Sequence, residues 1–119
     1  MIDKSVNVKE LDALQDEVGA WYYTLNNIPY TGCAIQYYPN GIMTAESNFV
    51  NGYQEGIQKI WFQNGQLKIQ FEMMNNINHG IVRSWFENGS LKYEAEYNMG
   101  EIIWSKKYNE EGNIIKTFP

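Results

Sequence analysis

Cysteine and histidine are nearly missing: in 119 residues there is one of each, Cys33 and His79. A lone cysteine excludes an intrachain disulfide framework and suits a reducing compartment. One thiol and one imidazole also fall short of the convergent ligands that a structural zinc site needs. Basic residues are scarce as well. Nine lysines and arginines stand against 14 acids, giving a formal net charge of -5. Residues 1 to 56 carry seven acids against Lys4 and Lys9 alone, whereas 57 to 119 balance seven acids with seven bases. Neither half has the cationic excess that a nucleic-acid backbone demands, so no nucleic-acid partner is expected. The acidic balance argues equally against an anionic membrane surface. No stretch approaches the roughly 18 to 20 apolar residues that span a bilayer, and the opening MIDKSVNVKE has no signal-like apolar segment.

Aromatic residues, asparagine and glycine are abundant. Nine tyrosines, four tryptophans and five phenylalanines accompany ten glycines. Aromatics favour strands, and Asn and Gly favour the tight turns between them. Their order is periodic. Tyr38-Pro39-Asn40-Gly41, Phe62-Gln63-Asn64-Gly65 and Phe86-Glu87-Asn88-Gly89 recur every 24 residues. Gly32, Gly56 and Gly80 keep the same interval, and Met43, Leu67 and Leu91 follow the Asn-Gly pairs two places on. The aromatic pairs Tyr37-Tyr38, Trp61-Phe62 and Trp85-Phe86 precede the turns in register.

Asn-Gly between alternating segments signals a hairpin, because both residues tolerate positive φ. The structural turns are therefore Asn40-Gly41, Asn64-Gly65 and Asn88-Gly89. After Gly65, Leu67, Ile69, Phe71 and Met73 alternate with Gln66, Lys68, Gln70 and Glu72, the period of a strand with one buried and one wet face. A two-residue turn pairs Phe62 with Leu67 and Ile60 with Ile69; a three-residue turn shifts the register by one. In either case the strand before the turn carries apolar bulk on both sides. Residues 98 to 119 form a degraded unit around Lys107-Tyr108-Asn109-Glu110-Glu111-Gly112. Trp21 to Thr24 is a strand candidate, and residues 9 to 18 admit a short helix with Leu11, Leu14 and Val18 on one side, or an irregular cap.

The expected fold is all-β: tandem antiparallel β-hairpin repeats forming an elongated twisted meander sheet. It is one domain, with a cap over 1–20 and hairpin units of about 24 residues over 21–118. A small closed barrel is the alternative. An open array leaves edge strands, which the chain ends or a homodimer contact must protect.

The stretches 38–46, 62–68 and 86–94, alternating with the second glycine series at Gly56 and Gly80, resemble the variant MORN repeat, in particular the YwqK-type family of antitoxin or immunity proteins. That resemblance implies a cytoplasmic bacterial protein that binds and neutralises a cognate toxin. Asn76 stands where the equivalent positions hold Gly52 and Gly100, a change that a left-handed Asn accommodates.

Catalysis finds little support. His79 precedes the turn glycine Gly80 and is spaced like Glu55, as a turn-bonding side chain would be. Nothing brings it to Cys33, which reads as a small buried or half-buried thiol. Glu94 and Glu96 sit on the polar side of a strand, and no lysine-bearing phosphate loop accompanies the glycines. No enzyme activity, metal or cofactor is expected. The better candidate site is the aromatic series Tyr37, Trp61 and Trp85 with Lys59 and Arg83, large rigid groups beside cations that suit a protein interface. Ordinary sheet packing is the competing explanation of the same residues. The further alternatives are a structural or self-assembling repeat and a peripheral membrane module.

Overall fold

A computed structural model describes residues 5–119. After β1 (Ser5–Asn7) and a single 3-10 turn (Val8–Glu10) come β2 (Asp12–Gln15), β3 (Trp21–Leu25) and β4 (Ile28–Pro29). The repeats follow as β5 (Gly32–Tyr37), β6 (Met43–Val50), β7 (Tyr53–Gln54), β8 (Gly56–Trp61), β9 (Leu67–Met74), β10 (Ile77–Asn78), β11 (Gly80–Trp85) and β12 (Leu91–Asn98). The chain closes with β13 (Glu101–Tyr108) and β14 (Ile114–Phe118). Eleven strands form one open sheet in the order β1-β5-β6-β8-β9-β11-β12-β13-β14, with β7 and β10 paired at its side, and β2-β3-β4 form a second, smaller sheet. The architecture is the expected all-β hairpin array, open rather than closed into a barrel. Its radius of gyration, 15.9 Å, exceeds the roughly 13 to 14 Å of a compact domain this long.

One expectation is corrected. Residues 9 to 18 form no helix: Asp12–Gln15 pair with Trp21–Thr24 as a hairpin. The Asp16 carboxylate accepts from Val18 N at 3.0 Å and Ala20 N at 2.9 Å, and Gly19 sits at φ 85°. Four residues cannot be capped this way and also continue a helix. The hairpin meander is antiparallel throughout, and the cap adds one parallel strand to it, β1 on β5 through Ser5–Cys33, Val6–Ala34 and Asn7–Ile35.

The two turn series differ in geometry. Asn40, Asn64 and Asn88 do not adopt positive φ; only Gly41, Gly65 and Gly89 do, at 86°, 87° and 91°. Each Asn instead accepts through its side chain from the backbone N–H two residues on: Ile42 at 3.0 Å, Gln66 at 2.9 Å and Ser90 at 2.9 Å. Three-residue loops closed by a left-handed glycine end in a bulge, and a register shift follows here. Trp61 opposes Leu67, Lys68 is the extra residue, and Ile60 then opposes Ile69. The expected Phe62–Leu67 pairing is absent, because Phe62 N–H donates to Gln66 O. Leu67 therefore does not continue the Ile69 row. At the opposite edge, reversals with two consecutive positive φ angles stand at Asn51-Gly52, Asn75-Asn76 and Met99-Gly100. Asn76 takes φ 67°, so the loss of glycine there leaves the turn intact.

Opposed residues share a face, and residues alternate along each strand. On that basis the buried Ala34, Phe49, Gln58, Val82 and Ala95 all fall on one inner face. Over its first repeat, Val6, Val8, Leu11, Tyr23 and Leu25 pack on Tyr30, Ala34 and Phe49. Gln58, 2% exposed, has a backbone-like role. Direct β6–β8 pairing covers only Ala45–Ile60 and Glu46–Lys59. Beyond it, the Gln58 amide accepts from Asn48 N at 2.9 Å and donates to Asn48 O at 3.1 Å. A side chain thus replaces the missing ladder bonds of a buried strand.

Candidate binding face

The outer face collects every predicted site residue. Tyr37, Trp61 and Trp85 end β5, β8 and β11 at equivalent positions, opposed to Met43, Leu67 and Leu91. The bulge after each turn fixes this register, so the aromatics recur on alternate strands, about 10 Å apart. That spacing keeps the rings from stacking on one another; the close ring pairs are Tyr22–Tyr53, Tyr23–Phe49 and Tyr30–Phe49. Tyr37 is 52% exposed, while Trp61 and Trp85 are half-buried. The backbone beside them is held across repeats, since Tyr38 Oη donates to Trp61 O at 2.9 Å. Asn40 and Asn64 side chains also donate to Gln63 O and Glu87 O, at 3.3 and 3.1 Å, binding each turn to the next.

Lys59 and Arg83 lie two residues before the tryptophans, on the same face. They belong to a row that crosses the sheet through Ile35, Glu46, Lys59, Gln70, Arg83, Glu94, Lys106 and Thr117, each directly opposed to the next. Cations and acids are interspersed along it. Arg83 Nε meets Glu94 Oε2 at 3.3 Å with 48% of its side chain exposed, so the ion pair itself is worth little. Glu94 also accepts from Tyr108 Oη at 2.7 Å, and this bond to a carboxylate raises the phenol's pKa. Glu96 accepts from Trp104 Nε1 at 3.0 Å, with Lys106 Nζ 5.9 Å from the centre of that indole ring.

Two members of the face were missed from the sequence. Tyr108 opposes Ile114 just as Trp61 opposes Leu67, making it the fourth aromatic rung, and Lys106 continues the cations. Counting back from the turn glycine finds both: Tyr37, Trp61, Trp85 and Tyr108 each stand four residues before it, and Lys59, Arg83 and Lys106 stand six before it.

Of the remaining reactive side chains, His79 serves a turn, and Cys33 lies on the outer face two residues before Ile35, away from the aromatic row. His79 Nδ1 accepts from Met99 N at 3.1 Å, as Glu55 Oε1 does from Asn75 N at 3.0 Å and Thr31 Oγ1 from Asn51 N at 2.9 Å. These three occupy one position of the repeat, each capping the reversal of its unit. Cys33 is half-buried on β5. Among the described residues no three His, Cys, Asp or Glu side chains converge as metal ligands. No helix among them is long and apolar enough to cross a membrane.

With this geometry in place, comparison with family models is decisive. The variant MORN repeat matches residues 30–51, 54–75 and 78–99, over half the chain. The chain belongs to the MORN repeat variant family. MORN repeats are associated with binding proteins or membranes. The curated proteins give no match. Among solved structures the chain is similar to two of S. aureus TarM, at 14% and 15% identity with TM-scores of 0.44 and 0.43, each over 93% of this chain and 20% of that one. It is also similar to a chain of accessory secretory protein 1, 2 and 3 from Streptococcus pneumoniae, at 14% identity and TM-score 0.39, over 96% and 21%. The chain spans about a fifth of the length of each.

Proposed function

We propose that this MORN array is a non-catalytic module that binds a protein partner through its outer face, and that the partner is a cognate bacterial toxin met in the cytoplasm. The observation that carries the reading is the aromatic row Tyr37, Trp61, Trp85 and Tyr108 lying beside interspersed charges, with no element of the described chain laid over it. Rigid aromatics that already sit half-buried in a sheet lose little conformational freedom on binding. Interspersed charges of both signs favour a protein, whose surface carries both, over a uniformly anionic membrane or nucleic acid.

The test is co-purification with the product of a neighbouring toxin-like gene, together with protection of cells producing it. Exchange of Trp61 and Trp85 for alanine should abolish the complex while circular dichroism still reports the strands. The milder Lys59→Glu with Arg83→Glu separates lost binding from lost folding. Absence of both complex and protection removes the toxin reading, and intact binding by both double variants removes this face.

A further inference from the structure

We propose that the outer edge of β14 is a docking strand for an extended segment of another protein, one that places an acidic residue beside Lys116 and an apolar residue beside Phe118. This site is separate from the aromatic face and does not depend on it.

Every residue of β14 is exposed, and its strand pairing is with β13 alone. No backbone hydrogen bond among the described residues reaches its other side. A row of open N–H and C=O groups is a template for one more strand. The side chains specify which strand. Elsewhere on the sheet cations face acids: Lys59 opposes Glu46, and both Arg83 and Lys106 oppose Glu94. Lys107 instead opposes Lys116 on one side and Tyr93 on the other. Like charges directly opposed are destabilising, and an acid on the next strand would offset them.

The apolar half follows from the repeat. Phe118 and Phe71 both stand six residues after a turn glycine. Phe71, on a strand flanked by β8 and β11, is half-buried, whereas Phe118 is 49% exposed at the end of the row Val82, Ala95, Ser105, Phe118. A partner running antiparallel to β14 therefore reads apolar–any–acidic. A second copy fits poorly: a two-fold axis through the sheet keeps each side chain on its face, so it would gather Lys107 and Lys116 of both copies together.

The test follows backbone amide exchange along β14 in the whole protein with two synthetic ten-residue peptides. Both are threonine-rich with one valine; two places after it one carries glutamate, the other lysine. The glutamate peptide should slow exchange across Ile115–Phe118, and bind at least about tenfold tighter than the lysine peptide. Lys107→Glu with Lys116→Glu should reverse that preference, as should Lys116→Glu alone, more weakly; both change exposed side chains. Equal binding of the two peptides, no binding of either, or protection confined to other strands overturns the proposal. So does a β14 already protected without peptide, whether by the chain itself or by a second copy.

Discussion

At the N-terminal end of the sheet, β1 lies along β5, and Val6, Val8 and Leu11 join Tyr23 and Leu25 in packing on Tyr30, Ala34 and Phe49. At the other end, β14 follows the same kind of turn and the same bulge, yet Ile114, Ile115 and Phe118 stay exposed. The hairpins are near-copies; their surroundings are not. A hairpin unit of this array thus supplies one strand pair and half a core, and its stability depends on what is laid against it.

The largest expected contrast comes from removing one aromatic at each end. Phe49→Ala should cost about 3 to 5 kcal/mol in denaturant unfolding, the usual range for a buried phenylalanine. Phe118→Ala should cost less than about 1 kcal/mol, since it vacates no enclosed space. Equal losses would mean that the C-terminal end is also covered in solution. Next is Gln58→Ala, expected to cost about 1 to 3 kcal/mol, because it strands the Asn48 N–H, whereas Asn48 O keeps its bond from Glu55 N at 3.0 Å. Hydrogen exchange at Asn48 would report the opening directly.

A smaller pair of variants compares turns. At Gly112 an added Cβ meets nothing within 4 Å, so Gly112→Ala carries only the left-handed φ penalty, about 1 kcal/mol. At Gly52 the same atom would lie 3.0 Å from Tyr23 O, at the join between the two sheets, and thermal melts should show the larger loss there.

The smallest effect is titration. Asp16 and Asn109 occupy the same place, three residues before their turn glycines, and each accepts two backbone N–H groups. The bond from Tyr53 Oη, at 2.8 Å, together with those backbone donors, holds the Asp16 pKa below its ordinary value. A depressed folded pKa gives stabilisation that is present above the unfolded value and fades as pH falls through the folded one. Asp16→Asn should flatten the acid limb of the stability–pH curve slightly, and Asn109→Ala should leave its shape unchanged.

The hairpins, their interval and the turn glycines were legible from the 24-residue repeat, because a glycine that needs positive φ leaves a mark in composition. The first hairpin was hidden. Gly19 lies 22 residues before Gly41, but Asp16 replaces the Asn-Gly signature, and Leu11, Leu14 and Val18 imitate a helical stripe. The candidate face was half legible: Tyr37, Trp61, Trp85, Lys59 and Arg83 could be grouped by interval, whereas Tyr108 and Lys106 were lost to the one-residue contraction of the last unit.

By itself, then, the sequence determined the all-β hairpin array and the spacing of its aromatic rungs, since both are local consequences of periodic turns and alternating side chains. Tertiary structure decided which turn residue is left-handed, where the bulge resets the register, that Gln58 substitutes for a missing ladder, and that one end of the sheet is packed over by the N-terminal segment while Ile114, Ile115 and Phe118 at the other stay exposed. Those outcomes depend on contacts between segments far apart in the chain, which no local pattern encodes.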